Sequence, residues 1–383
     1  MRIGIDGRAL RASTEARGVA VYLERLLREL VRQHPDDEYR VLVPGKVRRG
    51  ALPEGVQVVH GERGRALHAA AAVLGRPRLD RLLGGPDLVW IPAPAPVALS
   101  PDAPYVLTVH DLSFVHQPRD FSAYERAWHR LARPRRLAAR ARRVLTDTEA
   151  VRKQVIDEWS LPPEQVRAVR LGPGRAERKA DAGDQANAGA EAAGAGAEAA
   201  GAGAEAPGAG AQDQRRDVLA VGALEPRKLP LVLARAHALA RERGLAAGLV
   251  FVGGGPLRAD VEASGATVLG HVPDAELDAA YRRALCLACV SREEGFGFTP
   301  LEALAAGVPP VVSDLPVFAE ALGEAALVVP AGDVEALAGA LLRLERDPEL
   351  RARLVEAGRA RLGELSWERA ARETRAVFEE VAR

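Results

Sequence analysis

The sequence predicts two doubly wound α/β domains joined by a low-complexity linker. Short apolar runs with strand character alternate with helix-periodic stretches along nearly the whole chain. One Ala- and Gly-rich tract interrupts that alternation. A length of 383 residues suits two domains, at roughly 100–200 residues per domain. Repeated βα units build a parallel sheet with helices on both faces, and such sheets bind ligands at the carboxyl ends of their strands.

Taken in order, the opening RIGID is a strand. Val19–Gln33 follows with helical spacing in Val19, Tyr22, Leu23, Leu26, Leu27 and Leu30. Tyr39–Val43, Val56–Val59, Leu88–Ile91, Tyr105–Val109 and Arg143–Thr146 read as further strands, and Val166–Arg170 closes this half. Residues 188–208 then repeat AGAEAAG, AGAEAAG, AGAEAPG. No large apolar residue fills a core position of that heptad, and two glycines per repeat oppose helix. Residues 172–216 are therefore expected to be a flexible linker without chemistry. Alternation resumes with strands at Val218–Val221, Leu249–Val252, Thr267–Leu269, Cys286–Val290 and Pro310–Val312. Helices are expected at Val334–Glu345, Pro348–Leu362 and Trp367–Val381, the last capped by Ser366. The expected units are residues 1–171, the linker 172–216, residues 217–363 and a closing helical segment 364–383.

Composition narrows the function. Apolar residues make up 48% of the chain, enough for a core in each half. A net charge of +1 argues against a dedicated nucleic-acid binder. Residues 1–175 carry 30 Lys and Arg against 20 Asp and Glu, while the remainder carries 23 against 32. The basic half could meet an anionic acceptor or a membrane surface as a peripheral contact. The densest basic run, Arg126–Arg143, reads by default as a solvated helix interrupted by Pro134. No apolar run approaches the ~20 residues of a membrane span, and MRIGID reads as a strand and not a signal segment. A cytoplasmic protein, at most peripheral at the inner face of the membrane, is expected. Cys286 and Cys289 form a CxxC inside ALCLACV. On a strand, positions i and i+3 face opposite ways, so core packing is expected in place of redox or zinc chemistry.

Two segments carry chemistry. SREEGFGFTPLEALAAGVP, residues 291–309, leaves a strand, passes a glycine loop and enters a helix. Thr299 suits the N-cap and Pro300 the first helical position. A helix start offers unpaired N–H groups to phosphate, and Gly295 and Gly297 allow close backbone approach. Glu294 and Glu302 can accept from sugar or ribose hydroxyls. Thr299 and Glu302 also fit a capping box, in which Glu302 would only cap its helix. The second segment, VGALEPRKLP at residues 221–230, puts Arg227 and Lys228 just beyond a strand. Fixed cations there would stabilise the charge of a departing diphosphate and could stand in for a metal. No Asp-x-Asp pair stands at a strand end, so no metal and no cofactor beyond the donor substrate is expected.

Together these segments resemble the retaining glycosyltransferases of family 4, which have the GT-B fold of two such domains facing across a cleft. Glu294 and Glu302 in EEGFGFTPLE match the family's pair of glutamates, and Gly222, Pro226, Arg227 and Lys228 match its G…PRK element. The resemblance implies that Glu294 binds donor-sugar hydroxyls and Glu302 the ribose, with the diphosphate held by Arg227 and Lys228. It implies that backbone from Gly295 through Phe296, Gly297 and Phe298 to Thr299 lines sugar and phosphates, and that Val272 packs near the base. GVAVY, residues 18–22, resembles the family's glycine-rich loop, with Gly18 kept and Ala20 in place of the second glycine. VHDLSF, residues 109–114, resembles its HD segment and would set His110 beside the transferred sugar. The expected reaction moves a hexose, first mannose from GDP-mannose and next a UDP-sugar, to a hydroxyl of a glycan or lipid-linked acceptor in surface polysaccharide synthesis. A sugar-nucleotide epimerase on the same fold and a silent nucleotide-sugar-binding subunit are the rivals.

Overall fold

The computed structural model describes residues 1–11, 18–61, 73–174 and 216–383. The repeat-bearing tract lies outside the described residues. On its N-terminal side runs a seven-stranded sheet: β1 (Arg2–Asp6), β2 (Glu38–Pro44), β3 (Val56–Gly61), β4 (Leu88–Ile91), β5 (Tyr105–Thr108), β6 (Arg143–Thr146) and β7 (Val166–Ala168). Their order is β3-β2-β1-β4-β5-β6-β7, and every pairing is parallel. On its C-terminal side lies a six-stranded sheet: β8 (Asp217–Val221), β9 (Gly248–Val252), β10 (Thr267–Val268), β11 (Ala284–Cys289), β12 (Pro310–Ser313) and β13 (Leu327–Val329). Its order is β10-β9-β8-β11-β12-β13, again all parallel. In both sheets the order reverses beside the first strand, which opens a crevice at the carboxyl ends.

Strand and helix chemistry explain these elements. β4 and β5 are buried at every position, the signature of strands covered on both faces. Helix α1 (Gly18–Gln33) buries Tyr22, Leu23, Leu26, Leu27 and Leu30 on one stripe. Between β5 and β6 lie three short helices, α2 (Ser113–His116), α3 (Ala123–Ala132) and α4 (Pro134–Arg140). The basic run divides at Arg133, which takes the left-handed conformation (φ 46°) just before Pro134. Helix α5 (Glu149–Trp159) follows β6 and is capped by Thr148.

In the C-terminal half, α6 (Pro230–Glu242) follows β8 and α7 (Asp274–Arg283) precedes β11. Helix α8 (Phe298–Ala305) leads out of β11, and α9 (Pro316–Leu322) follows β12. Helices α10 (Val334–Arg346) and α11 (Pro348–Gly363) come next. The closing helix α12 (Trp367–Ala382), capped by Ser366, packs on α1, β4 and β5. Trp367 and Phe378 are buried there, and Phe378 lies 5.5 Å from Trp90.

Cys286 faces the same apolar cluster as Ala288 and Val290, whereas Cys289 packs on the other face with Leu287. Both thiols are free, and burial pushes each up to about 12. They are core residues, as their strand spacing implies. Among the described residues no helix is long and apolar enough to cross a membrane.

Candidate active site

The C-terminal part of the site forms where the sheet order reverses. β8 ends at Val221, and Pro226–Lys228 then makes a single 3-10 turn. β11, the neighbour of β8, ends just before Ser291–Glu294. The two loops are tied by the Arg292 amide, which donates to the Arg227 carbonyl at 2.9 Å. Lys228 Nζ donates to Glu294 Oε1, and Ser291 Oγ donates to the same oxygen at 2.8 Å. Arg227 Nε donates to Glu225 Oε2 at 3.0 Å. Burial works against the Arg227 charge, but Glu294, Glu225 and Asp111 outweigh it and hold the guanidinium pKa above its usual value. Asp111 belongs to the opposite half of the chain, so this field spans the gap between the sheets.

Helix α8 starts at Phe298, with Gly297 as its N-cap at φ 97° and no side-chain capping bond. The expected capping box is therefore not formed: Thr299 and Pro300 already lie inside the first turn. The reason is conformational, because Gly297 adopts a left-handed geometry that starts the helix two residues early. Glu302 instead accepts from Tyr281 OH at 3.3 Å. A Cβ on Gly174 would stand 2.5 Å from Glu302 Oε1, so chain leaving the first sheet lies against that one oxygen. The side chains of Phe296 and Phe298 are anchors, with rings 5.2 Å apart and Phe298 stacked on Trp367 at 6.0 Å. That leaves the loop backbone as the part able to meet a ligand.

The N-terminal part is built at the ends of β4, β5 and β6. His110 Nδ1 lies 2.6 Å from Asp147 Oδ2, and its Nε2 lies 2.9 Å from the Pro92 carbonyl. The edge of Tyr22 covers the imidazole at 4.8 Å. Burial alone would lower the His110 pKa, but the Asp147 charge and hydrogen bond, with Asp111 and Pro92, hold it above the usual histidine value. An acceptor at each ring nitrogen suits an imidazolium.

The two parts meet directly. A Cβ on Gly295 would fall 2.3 Å from the His110 carbonyl, so only glycine permits this approach. Thr148 Oγ1 donates to the Gly295 carbonyl at 3.3 Å. Gly18 opens α1, and a Cβ placed on it would stand 4.0 Å from Phe298, at the start of α8. Two helix N-termini without acidic residues in their first turns thus lie close together, and the loop into α8 begins at Glu294, which Lys228 holds. Such an arrangement favours an anion. The structure therefore gathers His110, Arg227, Lys228, Glu294, Gly295, Gly297 and Gly18 about one cleft. Val272, like Val221 at the end of β8, packs against the cluster of Leu219, Val250, Val252 and Tyr281.

Sequence reasoning did not single out Asp147, Glu225, Ser291, Tyr281, or His116 with Glu293. Asp147 carried a usable signal, since TDTE follows a strand just as the HD segment does. The others are legible only as pairs. His116 Nδ1 meets Glu293 Oε1 at 3.0 Å while its Nε2 meets Glu158 Oε1 at 2.6 Å, which joins the two halves.

Known proteins match this architecture. The family described as Glycosyltransferase Family 4 matches residues 16–172, and that described as Glycosyl transferases group 1 matches residues 204–361. A phosphatidyl-myo-inositol mannosyltransferase of Mycobacterium leprae is 43% identical over 118 residues, 30% of this chain and 31% of that protein. An O-antigen chain mannosyltransferase B of Escherichia coli is 36% identical over 106 residues, 28% of each chain. A D-inositol 3-phosphate glycosyltransferase of Salinispora arenicola is 30% identical over 253 residues, 61% of this chain and 53% of that protein. The two mannosyltransferase matches each take in less than a third of the relative's own length. Among solved structures, sucrose-phosphate synthase of Thermosynechococcus elongatus superposes with a TM-score of 0.69 at 18% identity, covering 99% of this chain and 98% of that one. HepE of Anabaena, solved with UDP and glucose, superposes with a TM-score of 0.64 at 15% identity over 99% of both chains. With both halves matched by these families and the whole chain superposing on their architecture, the chain belongs to the family 4 (group 1) glycosyltransferases and has the GT-B fold.

Proposed function

We propose that this chain is a retaining hexosyltransferase that needs no metal and moves a sugar from a nucleotide diphosphate to a hydroxyl of a glycan or lipid-linked acceptor. One observation carries the reading. Arg227, Lys228 and Glu294 sit together at the ends of the central strands β8 and β11, facing the start of α8 and the His110 segment. In this reading the diphosphate takes the place between the cations and the convergent helix starts. Glu294 turns from Lys228 to the sugar hydroxyls, and Glu302 with Tyr281 receives the ribose.

As the anomeric carbon–phosphate bond breaks, charge builds on the leaving diphosphate, and Arg227 and Lys228 stabilise it. The acceptor oxygen bonds to the anomeric carbon on the face the diphosphate leaves. Its proton passes to a phosphate oxygen. Contact of the Gly295 loop with His110 keeps water from competing for the sugar. The mannosyltransferase relatives support mannose as the sugar and GDP-mannose as the first donor to try. The phosphatidyl-myo-inositol, O-antigen chain and inositol 3-phosphate transferases among the relatives support an acceptor used in glycolipid or surface-polysaccharide assembly.

A thermal-shift panel of nucleotide diphosphates and their sugars tests the donor. A ligand at 100 times its dissociation constant adds about 2.7 kcal/mol of stability. GDP or UDP should raise the melting temperature, and Lys228→Ala should remove the rise. Turnover of donor without acceptor to an epimer would favour an epimerase, and binding with neither transfer nor hydrolysis a silent subunit. If no nucleotide shifts the melting temperature, the reading is wrong.

A further inference from the structure

A second recess lies outside the cleft. It is a cavity of about 400 Å³ between α2, α3 and α5, floored by Phe114, Phe121 and Trp159 and rimmed by His129, Arg130 and Arg135. A shallower recess continues from it along the start of α4, past Arg133 and Arg136. Arg130, Arg133, Arg135 and Arg136, which line these recesses, meet no carboxylate among the described residues. His129 stacks on Phe114 at 4.6 Å, and its buried Nδ1 has no hydrogen-bond partner. Buried polar atoms are nearly always satisfied, so an orphan in a cavity wall marks where a ligand or water belongs. The recess also adjoins the cleft. Helix α2 presents Phe114 to it, while His116 reaches Glu293, next to Glu294, and shares Glu158 with the recess wall.

We infer that this recess binds a phosphate group carried on an apolar chain, the anchored end of the acceptor. Charge complementarity decides the occupant: the aromatic floor takes the chain, and Arg130 and Arg135 on its rim, with Arg133 and Arg136 of the adjoining recess, take the phosphate. The role as acceptor site rests on the sugar-transfer reading, whereas binding itself does not.

The probe is dodecyl phosphate below its micelle concentration, titrated against the full chain by calorimetry. It should bind the wild type. The Arg130→Glu, Arg135→Glu double variant should lose at least about tenfold in affinity while keeping its nucleotide diphosphate affinity. Phe121→Ala should weaken the same ligand. Equal binding of uncharged dodecyl maltoside would overturn the phosphate assignment, and equal binding of inorganic phosphate would overturn the apolar one. Sedimentation with phosphatidylglycerol vesicles without binding of the monomeric probe would replace the recess by a membrane-facing surface. Indifference of dodecyl phosphate binding to the double variant would overturn the inference. Should nucleotides fail to bind as well, the sugar-transfer reading falls independently of this result.

Discussion

At the level of single residues, Gly295 shows how tightly the cleft is specified. Its missing Cβ is what lets the His110 carbonyl approach. Gly295→Ala should force the two halves apart, at an overpacking cost of about 1–3 kcal/mol, seen as a lower melting temperature and weaker sugar transfer. A melting temperature equal to wild type would mean that the contact does not form in solution. His110 gives a second check. Its pKa is raised, so its contribution to stability is complete below the unfolded value of about 6.5. That contribution fades as pH rises through the folded value. In an NMR titration its ring should stay protonated above the ordinary histidine range, and Asp147→Asn should bring the midpoint down. Glu294, Arg227, Lys228 and His110 were legible in the sequence because motif and strand end coincide. Asp147 was not singled out, because only folding shows that β5 and β6 are neighbours.

At the level of elements, polar contacts between the two halves add to the apolar core they share. Glu320 of α9 accepts from the Glu149 and Ala150 amides at the start of α5, at 3.0 and 3.1 Å. A carboxylate there favours the helix dipole. His116 bridges Glu158 and Glu293, and although burial pulls its pKa down, the two carboxylates outweigh that and raise it. The sign follows as for His110: docking through His116 is strongest below about pH 6.5 and weakens as pH rises through the folded pKa. Scattering profiles should become more open between pH 6 and pH 9, and His116→Gln should abolish that dependence. A profile unchanged with pH in the wild type would rule out this bridge as a pH-dependent contact. The helix start at Phe298 belongs to this level too. Thr299 and Pro300 are good capping residues, yet Gly297 in its left-handed conformation starts the helix first.

At the level of the whole molecule, α12 ties the last residues of the chain to the first sheet. Trp367 is 1% exposed and donates from Nε1 to the Pro173 carbonyl at 2.9 Å. Phe296, Leu301, Phe318, Trp367 and Phe378 all belong to the cluster that fills the N-terminal sheet. The largest core therefore runs across the cleft. Trp367→Ala should cost about 3–5 kcal/mol in urea unfolding and should reduce nucleotide binding too, since Phe298 stacks on that ring. Loss of less than about 1 kcal/mol would mean that the closing helix is not an integral part of the first domain.

The sequence by itself determined the alternation of strands and helices, the strand setting of both cysteines and the motifs by which the family is recognised. Those features are local: periodicity, turn residues and short motifs follow from neighbours along the chain. Only the tertiary structure decided which strands lie side by side, that Lys228 meets Glu294 and His110 meets Asp147, and that an aromatic recess opens under the basic run. These depend on parallel pairing through long crossovers. Such pairing joins residues dozens to hundreds of positions apart, where no local pattern records the partner.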